Sequence, residues 1–255
     1  VQTIMKNLDI FKGYARNFGA VIIDECHHAP ANTWAQILSL SPARYRLGFS
    51  ASTTRADGME PLMRILIGPI IFQHKFQSKV PVRVHPVKTD FRFMWGGPQD
   101  WRNMIDKLIR DDKRNDLIAE IAMRQIEKKH STLILSREVE HLKELEARLG
   151  EHAHMLTGKV PKPQRQKLIR QFTDGEITCL LATQLADEAI DIPRLSRIIL
   201  AYPSKDEAKL IQKIGRGLRE HEDKTSCVIF DIVDHRVSKL RSQWEKRKQV
   251  YRKYK

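Results

Sequence analysis

Two adjacent carboxylates follow a short apolar run near the start of the chain. The run, residues 20–23 (AVII), is typical of a buried parallel strand, and it leads directly into Asp24 and Glu25. Because ligands of α/β sheets bind at the carboxyl ends of strands, this pair could hold Mg²⁺ through the first acid and activate a water with the second. The alternative interpretation is a strand end followed by an ordinary polar turn.

A loop of small hydroxyl residues follows the next predicted strand. Ser50 and Ser52 lie in the stretch GFSASTTRADG, residues 48–58. Such hydroxyls can relay hydrogen bonds between a phosphate site and a neighbouring surface, and alternatively they can cap the helix that follows.

Two arginines lie in the stretch QKIGRGLR, residues 212–219. Arg216 and Arg219 are three residues apart near a predicted helix end, so both can point to one side. Two guanidinium groups placed in this way can clamp the charge that develops on a phosphoryl group, although ordinary surface arginine is the default for either residue alone. Another candidate stretch, LATQLADEAIDIP, occupies residues 181–193.

The elements that must position these residues alternate between strand and helix patterns. This alternation predicts an α/β protein with parallel sheets built from βαβ units. A region rich in β-branched and aromatic residues, 69–94, either finishes the first domain or crosses between domains. We expect strands at 20–23, 45–50, 132–135, 178–182, 197–200 and 226–230, and helices at 31–39, 57–66, 115–128, 139–149, 163–172 and 206–214.

The composition is that of a globular, basic protein. The 255 residues carry 45 Lys and Arg against 31 Asp and Glu, a formal net charge of +14, and this excess points towards a polyanionic partner. No apolar run is long enough for a membrane span, and no secretory signal pattern occurs, so we expect a cytoplasmic location in a prokaryotic or phage-infected cell. The three separated cysteines make a disulfide framework or a zinc site unexpected.

The charge is concentrated at the end of the chain. Residues 236–255 hold nine Lys and Arg and one Glu, which is +8 of the +14. Val237, Leu240, Trp244 and Tyr251 recur at roughly helical spacing, so we predict a basic amphipathic helix. Its apolar stripe is expected to dock on the domain, and its charges are either solvated or in contact with nucleic acid or a partner.

The order of these motifs along one chain resembles the superfamily 2 helicases and translocases. Residues 24–27 (DECH) resemble motif II, residues 50–52 motif III, and 132–136 motif IV. The match continues with residues 183–191, which are similar to motif V, and with 212–219, which fit the motif VI pattern Q-x-x-G-R-x-x-R. The sequence pattern is most similar to XPB-like and phage helicases and to the motor subunits of type I and III restriction enzymes. The resemblance extends from Val1 to about Asp234.

The resemblance implies two RecA-like domains with ATP and Mg²⁺ between them and nucleic acid across both. In this family Asp24 would serve Mg²⁺, Glu25 would be the catalytic base, and Arg219 and Arg216 would be an arginine finger and a second phosphate contact. Other residues would bind nucleotide (His27, Asp191, Gln212), contact nucleic acid (Thr157, Gly158, Thr183, Arg55) or couple the two sites (Ser50, Ser52, His27).

Three departures from the family pattern bear on activity. No G-x-x-x-x-G-K-[ST] sequence occurs, so we expect a first domain that is incomplete at its N-terminus and a chain that is inactive alone. Thr53 stands where the family usually has Pro, which would soften the turn of motif III. Ala189 replaces the usual Gly of motif V, where Ala would be strained if a positive φ is required.

The predicted domains follow from this resemblance. Residues 1–86 form the later part of the first RecA-like domain, 87–112 a linker, 113–234 the second RecA-like domain, and 235–255 the basic helix. The predicted function is an ATP-dependent DNA helicase or translocase acting on double-stranded or branched DNA. The alternatives are a non-catalytic nucleic-acid-binding module and the motor part of a restriction enzyme. DNA is favoured over RNA only by the branch resembled, and the oligomeric state is left open.

Overall fold

The chain divides into two compact units, Val1–Phe76 and Gln77–Lys255, in a computed structural model. The structure describes residues 2–26, 29, 32–50, 58–73, 80–183, 194–204, 221 and 224–252. Among these residues, no helix has the length and apolar character that crossing a lipid bilayer requires.

Unit 1 is built around two parallel strands. Ala20 lies opposite Tyr45 and Ile23 opposite Gly48, so the two strands end at the same edge. A small core that includes Ile23, Cys26 and Leu38 packs against them. The elements of unit 1 are α1 (Gln2–Lys6), α2 (Leu8–Ala15), β1 (Ala20–Ile23), α3 (Asn32–Leu40), β2 (Tyr45–Gly48) and α4 (Glu60–Leu66).

Unit 2 contains a six-stranded sheet in which every neighbouring pair of strands is parallel. The spatial order is β3-β8-β7-β4-β6-β5, so sequential strands are often not neighbours and the connections must cross over the sheet. The strands are β3 (Val82–Lys88), β4 (Thr132–Ser136), β5 (His154–Leu156), β6 (Cys179–Thr183), β7 (Arg197–Leu200) and β8 (Cys227–Val233).

Both faces of this sheet are covered. Leu133 and Leu135 of β4 enter one core cluster, whereas Ile134 between them enters another on the opposite face. This alternation follows from the two-residue repeat of a strand, and it confirms the predicted α/β class with a parallel sheet. The helices are α5 (Trp101–Leu108), α6 (Asp112–Glu127), α7 (Val139–Leu149), α8 (Lys162–Asp174) and α9 (Ser238–Tyr251).

The boundary between the units differs from the predicted one. Strand β3, which we assigned to the first domain and the linker, pairs along its whole length with β8 and therefore belongs to unit 2. Pro86 fits there because β3 is an edge strand and needs hydrogen-bond partners on one side only. The predicted linker also contains α5, whose Met104 and Leu108 are fully buried, so residues 101–108 are part of the folded unit.

The basic helix docks through the predicted stripe. Val237 and Leu240 are buried in a cluster with Phe91 and residues of α5, and Tyr251 is buried in a core cluster against which Trp244 packs. The helix predicted at 206–214 falls outside the described residues.

Candidate nucleotide and nucleic-acid sites

The acidic pair lies at the carboxyl end of β1. The turn that carries it is tied to the neighbouring strand by two backbone hydrogen bonds: the N–H of Cys26 donates to the carbonyl of Phe49 at 2.8 Å, and the N–H of Phe49 to the carbonyl of Ile23 at 2.9 Å. Asp24 is exposed, Glu25 is half-buried, and Ser50 follows β2 at the same edge. The structure therefore brings together three of the predicted residues, Asp24, Glu25 and Ser50.

Glu25 has a backbone conformation that residues other than glycine rarely adopt. Its φ is +50°, in the left-handed region, which costs a non-glycine residue about 1–2 kcal/mol. The N–H of Glu25 donates to Oδ1 of Asp24 at 2.8 Å, so the first carboxylate helps to hold the second in place. Backbone strain of this kind clusters at functional sites, where the surroundings enforce it.

Gly48 allows the turn to approach β2 closely. A Cβ atom at this position would lie 2.9 Å from both Cβ and Sγ of Cys26, which is too short for any real contact. Cys26 is itself buried, and burial raises the pKa of its thiol, with the charges of Glu25 and Asp24 raising it further. The thiol is thus a neutral packing group that sets the position of the acidic pair above it.

The donor set fits a magnesium–nucleotide complex. Carboxylate oxygen is the protein ligand that Mg²⁺ favours, and this ion is usually bound by one or two carboxylates together with substrate phosphates. Asp24 and Glu25 supply two carboxylates at an exposed strand end. Within the part of the chain that the structure describes, no cluster of three or more His, Cys, Asp or Glu forms an all-protein metal site.

Three hydroxyl residues lie side by side at the carboxyl edge of the larger sheet. Ser136 of β4 is paired in register with Thr183 of β6, and Thr157 follows directly after Leu156, which is paired with Ala182. All three side chains are nearly buried. Gly158, which comes next, is exposed, and an added Cβ there would meet nothing within 4 Å.

This edge has the polar groups expected of a phosphate-binding surface. The predicted nucleic-acid residues Thr157, Gly158 and Thr183 all lie on it. The hydroxyl Oγ1 of Thr183 is shielded from solvent and has no hydrogen-bond partner among the residues described.

The remaining predicted site residues cannot be placed. They lie outside the described residues, as do the two departures from the family pattern at Thr53 and Ala189. They are His27, Ser52, Arg55, Asp191, Gln212, Arg216 and Arg219.

A buried ion pair that the sequence did not indicate supports the carboxyl edge of unit 2. Nε of Arg114 donates to Oδ1 of Asp234 at 2.8 Å, and its Nη2 donates to the carbonyl of Ala201 at 2.7 Å. The hydroxyl of Thr89 donates to the same Asp234 oxygen at 2.6 Å. One guanidinium thus connects the start of α6 to the ends of β7 and β8, and Asp234 extends the connection to the residue after β3.

A buried histidine fixes the end of β4. Nδ1 of His141 lies 3.0 Å from Oγ of Ser136, and its Nε2 lies 3.0 Å from Oδ1 of Asn115. Because Nδ2 of Asn115 donates to the carbonyl of Ile109, Oδ1 must accept, so the ring carries its proton on Nε2. Burial lowers the pKa of His141 well below its usual range, and the nearby Arg114 charge lowers it further.

A second buried ion pair anchors the basic helix. Nε and Nη2 of Arg247 donate to the two carboxylate oxygens of Asp231 at 2.8 and 2.9 Å, and the hydroxyl of Tyr251 donates to Oδ2 of Asp231 at 2.6 Å. In the sequence Arg247 is one of nine basic residues in a charged segment, and only the three-dimensional structure distinguishes it from its solvated neighbours.

Two family models match the chain. Residues 112–221 match the helicase conserved C-terminal domain, and residues 1–55 match the res subunit of type III restriction enzymes. Putative helicase 22 of a Sulfolobus islandicus filamentous virus is 30% identical, over 87% of this chain and 44% of the relative. The DNA 3′-5′ helicase XPB of Kineococcus radiotolerans is 28% identical, over 90% of this chain and 40% of the relative. The chain thus spans less than half the length of each.

Solved structures agree with the fold. A fragment of a putative HsdR subunit of a type I restriction enzyme from Vibrio vulnificus superposes with a TM-score of 0.68 at 21% identity, covering 88% of this chain and 45% of that one. The parallel sheet and this likeness show a RecA-like fold, the fold of the helicase domains that are its structural neighbours. Two stretches of the chain, residues 1–55 and 112–221, match motor families of the superfamily 2 helicases and translocases, the group that includes the restriction-enzyme motors. The relatives agree with this similarity.

Proposed function

We propose that the chain carries the motor of an ATP-dependent DNA helicase or translocase. The observation that supports this most is the acidic pair: Asp24 and Glu25 lie at an exposed strand end beside Ser50, with Glu25 held in a strained conformation. A carboxylate pair in this position fits a magnesium–nucleotide complex and an attacking water.

The proposed roles are those that the resemblance to the helicase family implies. Asp24 would hold Mg²⁺, which would supply positive charge to neutralise the phosphates. Glu25 would orient the attacking water and accept its proton. Arg219 and Arg216 stabilise the transferred phosphoryl charge, Gln212, His27 and Asp191 contact the nucleotide side, and Ser50 and Ser52 couple that side to nucleic acid.

The 255-residue chain alone is expected to turn over ATP poorly. It contains no G-x-x-x-x-G-K-[ST] sequence, the loop whose backbone amides and lysine cradle the phosphates in this class of enzyme. We therefore propose that efficient turnover requires further protein that supplies this loop.

Nucleic acid is the proposed partner, with DNA favoured. The XPB relative is named as a DNA helicase, and the net charge of +14 suits a polyanion. Thr157, Gly158 and Thr183 would contact the phosphate backbone at the carboxyl edge of unit 2, and Arg55 would contribute from unit 1. Double-stranded or branched DNA is the proposed form, and the cytoplasm is the proposed site of action.

Hydrolysis measurements on the full product of the gene test the proposal. We expect ATP turnover that rises with duplex DNA, and a Glu25→Gln variant that binds nucleotide but loses on the order of 100-fold or more in turnover, because the general base is removed. The matched control is Glu140→Gln, an exposed glutamate on α7, which should behave like the wild type.

The alternatives give different outcomes. Unchanged turnover in Glu25→Gln would refute the assignment of the base. DNA binding without any hydrolysis in the wild-type product would favour the non-catalytic module. A nuclease domain in the same product, together with DNA-stimulated hydrolysis, would identify the motor part of a restriction enzyme, which the HsdR-like fold also supports.

A further inference from the structure

An open groove of about 570 Å³ lies at the carboxyl edge of unit 2, next to the start of α9. We call it the basic groove. Its lining comes from two segments of the chain, one following β3 and the other following β8. The lining residues are Arg92, Phe93, Met94, His235, Arg236, Ser238 and Arg241.

The groove combines positive charge with an apolar surface. Three of its seven lining residues are arginines and none is a carboxylate. Met94 is 93% exposed, which is unusual for a residue of this type and leaves its side chain available for contact.

The local structure explains why these side chains face outward together. Residues 91–95 alternate between buried or half-buried and exposed positions, so that Phe91 packs inward whereas Arg92 and Met94 point out. On α9 the docked stripe begins with Leu240, which leaves Arg241 on the exposed side of the helix.

The arginines are available for a ligand. Arg236 pairs with the exposed Asp90 at 2.7 Å, a surface contact that a phosphate can replace at little cost. Among the residues described, neither Arg92 nor Arg241 has a carboxylate partner for its side chain. Two more cations flank the groove: Nζ of Lys107 lies 5.6 Å from the ring centre of Phe93, and Nζ of Lys239 lies 5.8 Å from that of Trp95.

The basic groove lies at the same carboxyl edge of the six-stranded sheet as the hydroxyl residues Ser136, Thr157 and Thr183. The strand order places β3 and β8 on one side of β7 and the hydroxyl-bearing strands β4, β6 and β5 on the other. All six strands are parallel, so both features lie where these strands end.

We propose that the basic groove binds single-stranded nucleic acid, extending the strand's path along this edge beyond the helicase motifs. Arginines that neutralise phosphates, combined with apolar and aromatic side chains for the bases, are features of sites for single strands. In the basic groove Met94 is exposed and Phe93 is half-buried. A duplex would present its phosphates to Arg92 and Arg241 but no base faces to Met94 and Phe93. The proposal rests on the proposed nucleic-acid motor function.

Binding of a fluorescent oligothymidine of about 16 nucleotides to the 255-residue chain tests the groove. The double variant Arg92→Gln/Arg241→Gln should lose affinity on the order of tenfold or more, because two charged hydrogen-bond donors are removed. Between about 50 and 200 mM salt its slope of log affinity against log salt should be smaller by about 1.4.

The matched control removes the same charge elsewhere. Arg124→Gln/Arg170→Gln changes two exposed arginines that form i,i+4 ion pairs on α6 and α8. Both arginines lie in the second halves of their helices, which end towards the amino edge of the sheet. On α6, Gln125 accepts a hydrogen bond from Arg197 at the start of β7. On α8, the carbonyl of Asp174 accepts one from Arg194, just before the same strand. The control should retain the wild-type salt slope.

A comparison of ligands tests the apolar surface. With the wild-type chain, oligothymidine should bind more tightly than an abasic strand of the same length and charge, and Met94→Ala should reduce this preference. Equal affinity for the two strands would contradict the single-strand assignment.

The failures can be told apart. A wild-type chain that binds neither strand and no duplex of the same length would contradict the proposed function itself, whereas a chain that binds the duplex alone would overturn the groove. A wild-type chain that binds oligothymidine while the groove and control variants weaken equally would overturn the groove alone, since binding would then depend on overall charge.

Discussion

The two units place polar residues at the ends of parallel strands in very different surroundings. Every residue of β4 is buried, whereas β1 buries only Ile23 fully and leaves Ile22 68% exposed. Unit 1 also exposes Ile71 and Phe72, at 82% and 78%. Parallel sheets are normally covered on both faces. Among the described residues the larger sheet follows this rule, whereas the smaller one leaves apolar side chains exposed.

The difference concerns how each unit holds its site. In unit 2 the strand ends are fixed by buried polar networks around Arg114 and His141, and two layers of core support them. In unit 1 the acidic pair is held by a few backbone hydrogen bonds and by the close contact between Gly48 and Cys26. We therefore expect unit 2 to be insensitive to changes at its surface and sensitive to changes in its networks, and unit 1 to respond to small changes in packing.

The largest effect is expected from breaking the Arg114 network. Arg114→Ala leaves Asp234 buried without its cation, and breaking such a pair costs about 3–5 kcal/mol in the free energy of unfolding. Urea unfolding followed by far-UV circular dichroism measures it. The control on the same helix is Arg124→Ala, an exposed pair for which a loss below about 1 kcal/mol is expected. Equal losses in both variants would show that the network does not support the sheet edge.

A smaller effect is expected from Gly48→Ala in unit 1. The new Cβ would overlap Cys26, and overpacking of this kind costs about 1–3 kcal/mol. Because the turn after β1 must shift, the nucleotide-dependent turnover of the full gene product should fall even when the variant is folded. Hydrogen exchange of the amides of β1 and β4 distinguishes a local loosening of unit 1 from a general loss of stability. The amides of β1 should exchange faster, while those of β4 should be unchanged. Wild-type exchange at β1 would refute the close-contact argument.

The pH dependence of unit 2 should be governed in part by His141. Its pKa is lowered in the folded state, so the unfolded chain binds a proton that the native ring does not bind. Stability is therefore fully present above the unfolded pKa of about 6.5 and falls as the pH drops below it, by up to about 1.4 kcal/mol per pH unit. Unfolding of the wild type and of His141→Gln between pH 7.5 and about 5.5 measures this, and the variant should lack this contribution. An identical pH profile in both proteins would contradict it.

The smallest effect on stability is expected at Gly158. Nothing lies within 4 Å of an added Cβ and its φ is not positive, so Gly158→Ala should change the free energy of unfolding by no more than about 0.5 kcal/mol. If phosphate approaches this backbone closely, the same variant should weaken binding of nucleic acid. The contrast with Gly48 is direct, since Gly48 makes room for Cys26, whereas Gly158 faces open space where we propose that nucleic acid binds. Unaltered binding would remove Gly158 from the site.

The parts of this structure that sequence patterns predict are local. Apolar runs identify β1, β4, β6, β7 and β8, and the motifs place Asp24, Thr157 and Thr183 at strand ends. The helical spacing of Leu240 and Tyr251 correctly predicts the docked face of α9.

The parts that could not be predicted depend on contacts between distant segments. Arg114 and Asp234 are 120 residues apart, and neither has a sequence neighbour that indicates its burial. The composition of β3 indicates a strand, but it does not indicate that this strand pairs with the distant β8. The boundary between the units therefore could not be placed from periodicity. The buried pairing of Arg247 with Asp231 could not be predicted, because Arg247 lies among residues of the same charge.

The pairing of β3 with β8 has a consequence for biosynthesis. Thr89 and its hydrogen-bond partner Asp234 are separated by 145 residues, and the whole of β3 is paired at this same distance. At about 5–20 residues per second, a ribosome needs roughly 7–30 s to translate that interval. Throughout this time β3 has been synthesised without its partner. Strands β4, β5, β6 and β7 are all made before β3 can pair with β8. The nascent chain thus exposes a strand-forming segment that chaperones would be expected to protect until translation reaches β8.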